Sequence, residues 1–172
     1  MSRKLIYSII LVAVLMGVLG VSFNVHKVEA LPETIYIKAD GSIDPSTANI
    51  TSLDDITYTF TANINESIVV EKSDIVIDGD GYTLNGSGSF MHGFNLTSVS
   101  NVTIQNVTIT QFGWGVLLES SHQNVIWGNN ITYNEGSILV SSSYGNIIAG
   151  NTIETTIEAI LLTSSDNNVF SD

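Results

Sequence analysis

The string NVIWGNNI fills Asn124 to Ile131, NIIAGNTI fills Asn146 to Ile153, and a third start, NVFSD, begins at Asn168. The spacing is 22 residues each time. A fixed period constrains the fold more tightly than any local propensity, because every repeat must then adopt one shared geometry. The period holds in several columns: Ile104, Ile126, Ile148 and Phe170; Ile109, Ile131 and Ile153; Phe94, Val116, Ile138 and Ile160; Leu96, Leu118, Val140 and Leu162. Ser98, Ser120, Ser142 and Ser164 form a further column at an expected turn, and Asn124, Asn146 and Asn168 another.

Each repeat contains short β-branched runs separated by Gly, Asn and Ser. Pairs such as Val116 and Leu118, or Ile138 and Val140, are two apart and so face one way on a strand. No stretch after Phe23 carries a capped apolar stripe of helical period. Three short strands and three bends per 22 residues describe one coil of an all-β, right-handed parallel β-helix. Four inward aliphatic side chains cannot offset the backbone entropy of ordering a whole coil, about 1–2 kcal/mol per residue. Coils must therefore stack, about 4.8 Å apart, each strand pairing with the copies above and below. Each inward Ile then rests on an Ile of the next coil, which keeps the column uniform. The Asn124, Asn146 and Asn168 column is expected to form an inward amide ladder. Asn129 and Asn151 are expected at bends, where Asn tolerates left-handed backbone. A leucine-rich repeat has a similar period but wants L-x-x-L-x-L-x-x-N and a helical half, and β-branched residues outnumber leucine here. Another β-solenoid or a sandwich is the remaining alternative.

The first 30 residues do not read as fold. Arg3 and Lys4 precede an apolar run from Leu5 to Phe23, and Val28-Glu29-Ala30 places small or apolar residues where a signal peptidase inspects. Residues 1–30 are expected to be a signal peptide cut after Ala30; an uncleaved anchor is the alternative. In both cases the remainder is secreted or displayed at the cell surface. The chain has no cysteine, so stability must come from packing and not from disulfides. Beyond Ala30 it has no arginine and only Lys38 and Lys72, within a net charge of −12. That balance excludes a nucleic acid partner. Asn-x-Ser/Thr triplets at Asn49, Asn65, Asn85, Asn95, Asn101, Asn106 and Asn130 are candidate glycosylation sites.

Upstream the repeat continues with altered lengths. ESIVVEKS and SDIVIDGDGYTL read as the first coils, so residues 66–172 are assigned to the β-helix. ETIYIKADGS and ITYTF read as strands of an N-terminal cap over residues 31–65, covering the open end as repeat stacks require. Asp172 falls just inside a fresh coil, so the stack is expected either to continue in a longer protein or to dock a partner at its open C-terminal end.

The block TIYIKADGSIDPSTANI to IVIDGDGYTLNGSG, followed by coils of the NxIxGNxI…GIxLxxS type, resembles exported archaeal β-helix proteins. These are grouped with the periplasmic NosD-like and the carbohydrate-binding and sugar-hydrolase β-helix domains. The resemblance spans nearly all of the chain after Ala30. It implies an envelope or extracellular location, a stacked-coil domain within larger surface proteins, and glycan contact. NosD itself is linked to copper-site assembly on a reductase, and no metal motif in this sequence supports carrying that link over.

Chemistry has few footholds. Lyases of this shape need a basic residue beside a uronate, and the missing arginines argue against that reaction. Hydrolases need two carboxylates, about 6.5–9.5 Å apart in the inverting class. Asp78 and Asp80 in DGDG are the candidates, although glycines on both sides make the segment read as a turn. The same Asp-x-Asp opens like a calcium loop, but its twelfth position is Ser89 and not Glu. Copper would want clustered His, Cys or Met, and His92, His122 and Met91 show no repeated spacing. Phe90 and Phe112 share a column, as do His92 and Trp114, and their rings are candidates for stacking on a sugar; the competing reading is that they plug the interior near a corner. Leu117, Leu139 and Leu161 are expected to point outward as an apolar stripe that marks an interface. Thr108, Asn130 and Thr152 beside Thr110, Thr132 and Glu154 form a flat polar strip, which Asn130 and Glu154 spoil as an ice-binding array. The sequence thus reads as a non-catalytic β-helix scaffold or binding domain, contacting glycans or envelope proteins. A polysaccharide hydrolase and a NosD-like accessory metal-binding protein are the alternatives.

Overall fold

The structure, a computed structural model, describes residues 34–172, without the side chains of Ser89, Phe90, Thr155 and Thr156. The expected leader, 1–30, lies outside the described residues. The strands are β1 (Ile35–Ile37), β2 (Ile43–Asp44), β3 (Ile50–Thr51), β4 (Thr57–Phe60), β5 (Ile68–Val70), β6 (Val76–Asp78) and β7 (Thr83–Thr97). Short and long strands then alternate: β8 (Thr103–Gln105), β9 (Thr108–Glu119), β10 (Val125–Trp127), β11 (Asn130–Ser141), β12 (Ile147–Ala149), β13 (Thr152–Thr163) and β14 (Val169–Ser171). No helix occurs among the described residues.

These strands form two sheets, ordered β13-β11-β9-β7-β5-β1-β2 and β14-β12-β10-β8-β6-β4-β3. Every neighbouring pair is parallel except β1 with β2 and β3 with β4. This is the right-handed parallel β-helix expected from the period. Ile126 pairs with Ile104 on one side and Ile148 on the other, and Ile131 lies between Ile109 and Ile153. Ile104, Ile109, Ile126, Ile131, Ile138 and Val140 are fully buried in one continuous core. The three bends of each coil are present, but one of them lies inside the long strand. There Gln111 and Tyr133 adopt left-handed backbone, with φ of 63° and 57°. Parallel pairing reaches back to β1 and β4, where Ile35, Ile37 and Tyr58 already sit in the inward columns.

From Ser120 onwards the corners follow one rule. A left-handed residue is followed by a polar residue that turns inward: Ser120 then Ser121, Gln123 then Asn124, Gly128 then Asn129, Tyr133 then Asn134. Left-handed backbone turns the chain but interrupts the ladder of main-chain bonds, leaving buried groups to be satisfied. The inward side chains satisfy them in the coil below. Ser121 Oγ accepts the N–H of Val99, and the Oδ1 atoms of Asn124, Asn129 and Asn134 accept those of Val102, Val107 and Phe112. Each acceptor is 22 residues beyond its donor. The same four side chains donate to the carbonyls of Leu96, Val99, Ile104 and Ile109, each 25 residues back.

The asparagines also join one another. Asn124 donates Nδ2 and backbone N–H to Asn146 Oδ1 at 3.0 and 2.9 Å, and Asn146 does the same to Asn168 at the same distances. The expected ladder is present, and Asn129 to Asn151 is a second one. The placement of Asn129 and Asn151 at left-handed positions is corrected: Gly128 and Gly150 take the positive φ, and the asparagines point inward.

Asn146 is fully buried and is bonded to the coils on both sides. Replacing it with Leu strands the N–H of Asn124 and the carbonyl of Ser121, at about 1–3 kcal/mol per buried group. A urea midpoint for Asn146→Leu equal to that of the parent would contradict this, as would a loss no larger than that of Asn168→Leu. One glycine inserted between Gly128 and Asn129 should destabilise strongly, because it breaks the spacing to Val107 and Ile104. The same insertion between Gly81 and Tyr82 should be tolerated, since that bend takes no part in a ladder.

Candidate functional site

The two sequence candidates for acid-base chemistry fall in the bend after β6. Asp78 pairs with Gln105 at the end of β6, and Thr83 pairs with Thr108 at the start of β7. Residues 79–82 span this corner, where the coil above uses only 106 and 107. The extra length pushes Asp80 and Gly81 outward, both with positive φ. Asp78 Oδ1 accepts the N–H of Asp80 at 2.9 Å and Asn106 Nδ2 at 3.2 Å, while Oδ2 accepts Gln105 Nε2 at 2.8 Å. Burial pushes the Asp78 carboxyl up, but the bonds from Asp80, Gln105 and Asn106 outweigh it and hold the group below the usual carboxylate value. Asp78 and Asp80 are thus brought together as the turn that the flanking glycines suggested, with the Asp78 carboxylate engaged in hydrogen bonds within the corner. A carboxylate that accepts three N–H donors is favoured as the anion.

The aromatic candidates divide. Phe112 is 2% exposed and belongs to the core, so its place in a ligand site is corrected; it sits at the inward kink, where Asn134 binds its N–H. The side chain of Phe90 lies outside the described residues. His92 and Trp114 are neighbours in register, as their shared column implies, and both are half-buried. Burial pushes the His92 imidazole below its ordinary value, with Glu119 pulling the other way, and its Nδ1 is buried without a hydrogen-bond partner. The Trp114 ring lies flat across the next coil: a Cβ on Gly136 would meet its Cε3 and Cζ3 at 2.4 Å. Trp114 lines a cleft of about 110 Å³ with Gly113, Glu135, Gly136, Ile157 and Glu158. Sequence reading missed the two glutamates, which occupy no repeating column.

The leucine stripe also needs correction. Leu117 pairs with Asn95 and Leu139, and Leu139 pairs with Leu161, so the column exists. Yet Leu117 is only 7% exposed, Leu139 is half-buried, and exposure reaches 36% only at Leu161. Side chains stacked about 4.8 Å apart cover each other's flanks, so the stripe packs on itself. Of the sequon asparagines, Asn49, Asn65, Asn101, Asn106 and Asn130 are exposed, and Asn85 and Asn95 are half-buried.

Two features had no signal in residue type alone. His122 stacks on Tyr144 with ring centroids 3.8 Å apart, and its Nδ1 accepts the Tyr144 N–H. Trp127 is 50% exposed on the outer face of β10 and leans towards the following bend. Their offset of 22 could have flagged the first pair as stacked neighbours. Among the described residues, no group of three or more His, Cys, Asp or Glu is placed to hold a metal ion.

The family model described as periplasmic copper-binding protein (NosD) matches residues 32–172. No curated protein and no solved structure matches the chain.

The depressed Asp78 carboxyl makes an acid-dependent prediction. Its folded value lies below the unfolded 3.8, so its stabilisation is complete above that value and is lost as pH falls through the folded one. The urea midpoint of the parent should exceed that of Asp78→Ala at about pH 6, and the difference should shrink by about pH 2. A difference constant with pH would assign the effect of the substitution to packing alone.

Proposed function

The chain belongs to the family described as periplasmic copper-binding protein (NosD), and from that membership we propose that it is a non-catalytic β-helix scaffold of the cell envelope that contacts glycans or envelope proteins through its outer surface. The observation that carries this reading is the state of Asp78. The one carboxylate pair that the sequence offers for hydrolysis is a hydrogen-bonded corner. The core is filled by aliphatic side chains, and the inward asparagines and serines serve backbone groups. What remains for recognition is the outside of the stack. The flat indole of Trp114, next to Glu135 and Glu158, supports sugar contact, since an aromatic face packs on the apolar face of a pyranose while carboxylates accept its hydroxyls.

Copper fits the described residues poorly. The chain has no cysteine. His122 accepts a backbone N–H through Nδ1 in the bend before β10, and His92 lies within β7, with Met91 as its only soft neighbour in sequence. Copper wants several such ligands converging on one point. A hydrolase reading retains one observation in its favour, the shared cleft of Glu135 and Glu158 beside Trp114.

The test is a purified, metal-stripped sample offered copper and a panel of polysaccharides. It should retain less than one equivalent of copper after dialysis and release no reducing sugar, and Trp114→Ala should weaken any glycan retention that depends on that face. Stoichiometric copper would replace this reading with metal carriage. Sugar release abolished by Glu158→Gln would replace it with hydrolysis.

A further inference from the structure

The longer bend after β6 does more than turn the chain. Asp80 and Gly81 stand out from the stack and form one wall of a groove that crosses three coils. Asn106 and Thr108 line its middle, and Gly128 and Asn130 its far end. Its volume of about 330 Å³ is within the range of small-ligand clefts, about 300–1,000 Å³. The floor is open because Gly128 occupies the left-handed corner, and a Cβ on Gly128 or Gly81 would meet nothing within 4 Å. Trp127, next to Gly128 in the chain, is 50% exposed and lies outside the residues that line this groove. A Cβ on Gly150, the equivalent corner of the next coil, would lie 3.3 Å from Trp127 Nε1 and 3.5 Å from Cδ1. The indole therefore leans towards the Gly150 corner while half of the side chain stays exposed.

We propose that this groove and the Trp127 indole together form a binding site for a neutral glycan chain, distinct from the Trp114 face on the other sheet. The chemistry of the lining selects the ligand class. Asp80 accepts hydroxyl donors, Asn106 and Asn130 offer amide groups, and Thr108 can donate or accept. Beyond the lining, the half-exposed Trp127 that precedes Gly128 supplies the apolar plane that a pyranose face requires for a chain longer than the groove. Polyanions are excluded. The groove contains a carboxylate and no cation, and the only lysines after Ala30, Lys38 and Lys72, lie outside its lining. A uronate polymer or a nucleic acid would face uncompensated repulsion there.

The site deepens the scaffold reading and rests on it. Because Asn106 and Asn130 are also sequon residues, the test uses protein from a host without N-glycosylation, which leaves the groove bare. Affinity electrophoresis through gels containing a soluble β-glucan, a mannan, a glycol-chitin or polygalacturonate reads binding directly. At least one neutral polymer should retard the wild type and polygalacturonate should not. Trp127→Ala should weaken that retardation about tenfold, Trp127→Tyr should retain most of it, and Asn130→Leu should weaken it at an unchanged urea midpoint. Two results overturn the site: no retardation by any neutral polymer, or retardation unchanged in Trp127→Ala. If Trp114→Ala abolishes retardation and Trp127→Ala does not, the groove fails while glycan contact by the scaffold stands. If the wild type releases reducing sugar and Trp127→Ala still weakens retardation, the groove stands and the non-catalytic reading fails.

Discussion

The structure depends on the polar side chain that turns inward after each left-handed corner from Ser120 onwards. Such a corner leaves a buried N–H and a buried carbonyl without strand partners. The residue 22 positions on accepts from that N–H, and it also donates to a carbonyl 25 positions back. Hydrophobic columns alone would tolerate a slip along a strand by two residues, since the same face would remain inward. The corner bonds do not tolerate it. They fix register at every bend, and they fix coil length, because one extra residue carries the side chain away from both of its partners. The period is strict where this exchange operates.

This view explains the lower coils. Val99, Val102, Val107 and Phe112 occupy the corner positions that carry Ser121, Asn124, Asn129 and Asn134 one coil later. They need no polar group of their own, because their amides are served from above. Below them the spacing is free to drift. Ile77 pairs with Ile104, Leu84 with Ile109 and Ile68 with Phe94, at separations longer than 22. The repeat loses its period one coil below the first polar corners.

The aliphatic columns and the Asn124 ladder were legible in the sequence because each repeats one residue type in a position with one physical requirement. The other corners were harder. Ser121, Ser143 and Ser165 follow the conspicuous column of Ser120, Ser142 and Ser164, and only the backbone conformation separates the member that turns the chain from the member that binds it. Asn129 was assigned the left-handed residue's task for the same reason: Gly and Asn both suit such positions, and the glycine beside it took it. Asn134 repeats in no other coil and left no signal at all. The candidate site was less legible still. Column membership tells which residues stack, but not whether a stack is buried. Phe112 and Trp114 are two apart with the same parity, yet the kink after Gln111 sends one into the core and leaves the other half-exposed.

Surface relief on a stack of uniform coils must come from positions that the corner bonds do not govern. Two such places lie in the coil of β6 and β7. One is the four-residue bend after Asp78. The other is the stretch between Asn85 and His92, where the register shifts against β9. The first of these bends has no inward side-chain ladder; it stays bonded to the next coil through the N–H groups of Gly79 and Gly81 and ties Asp78 to Gln105 and Asn106, so the extra residues project without disturbing the core. A wall raised there, next to corners that are bare because left-handed geometry favours glycine, produces a groove at no cost to the columns inside. The demand for identical interiors and the freedom to shape an exterior are thus separated along the chain.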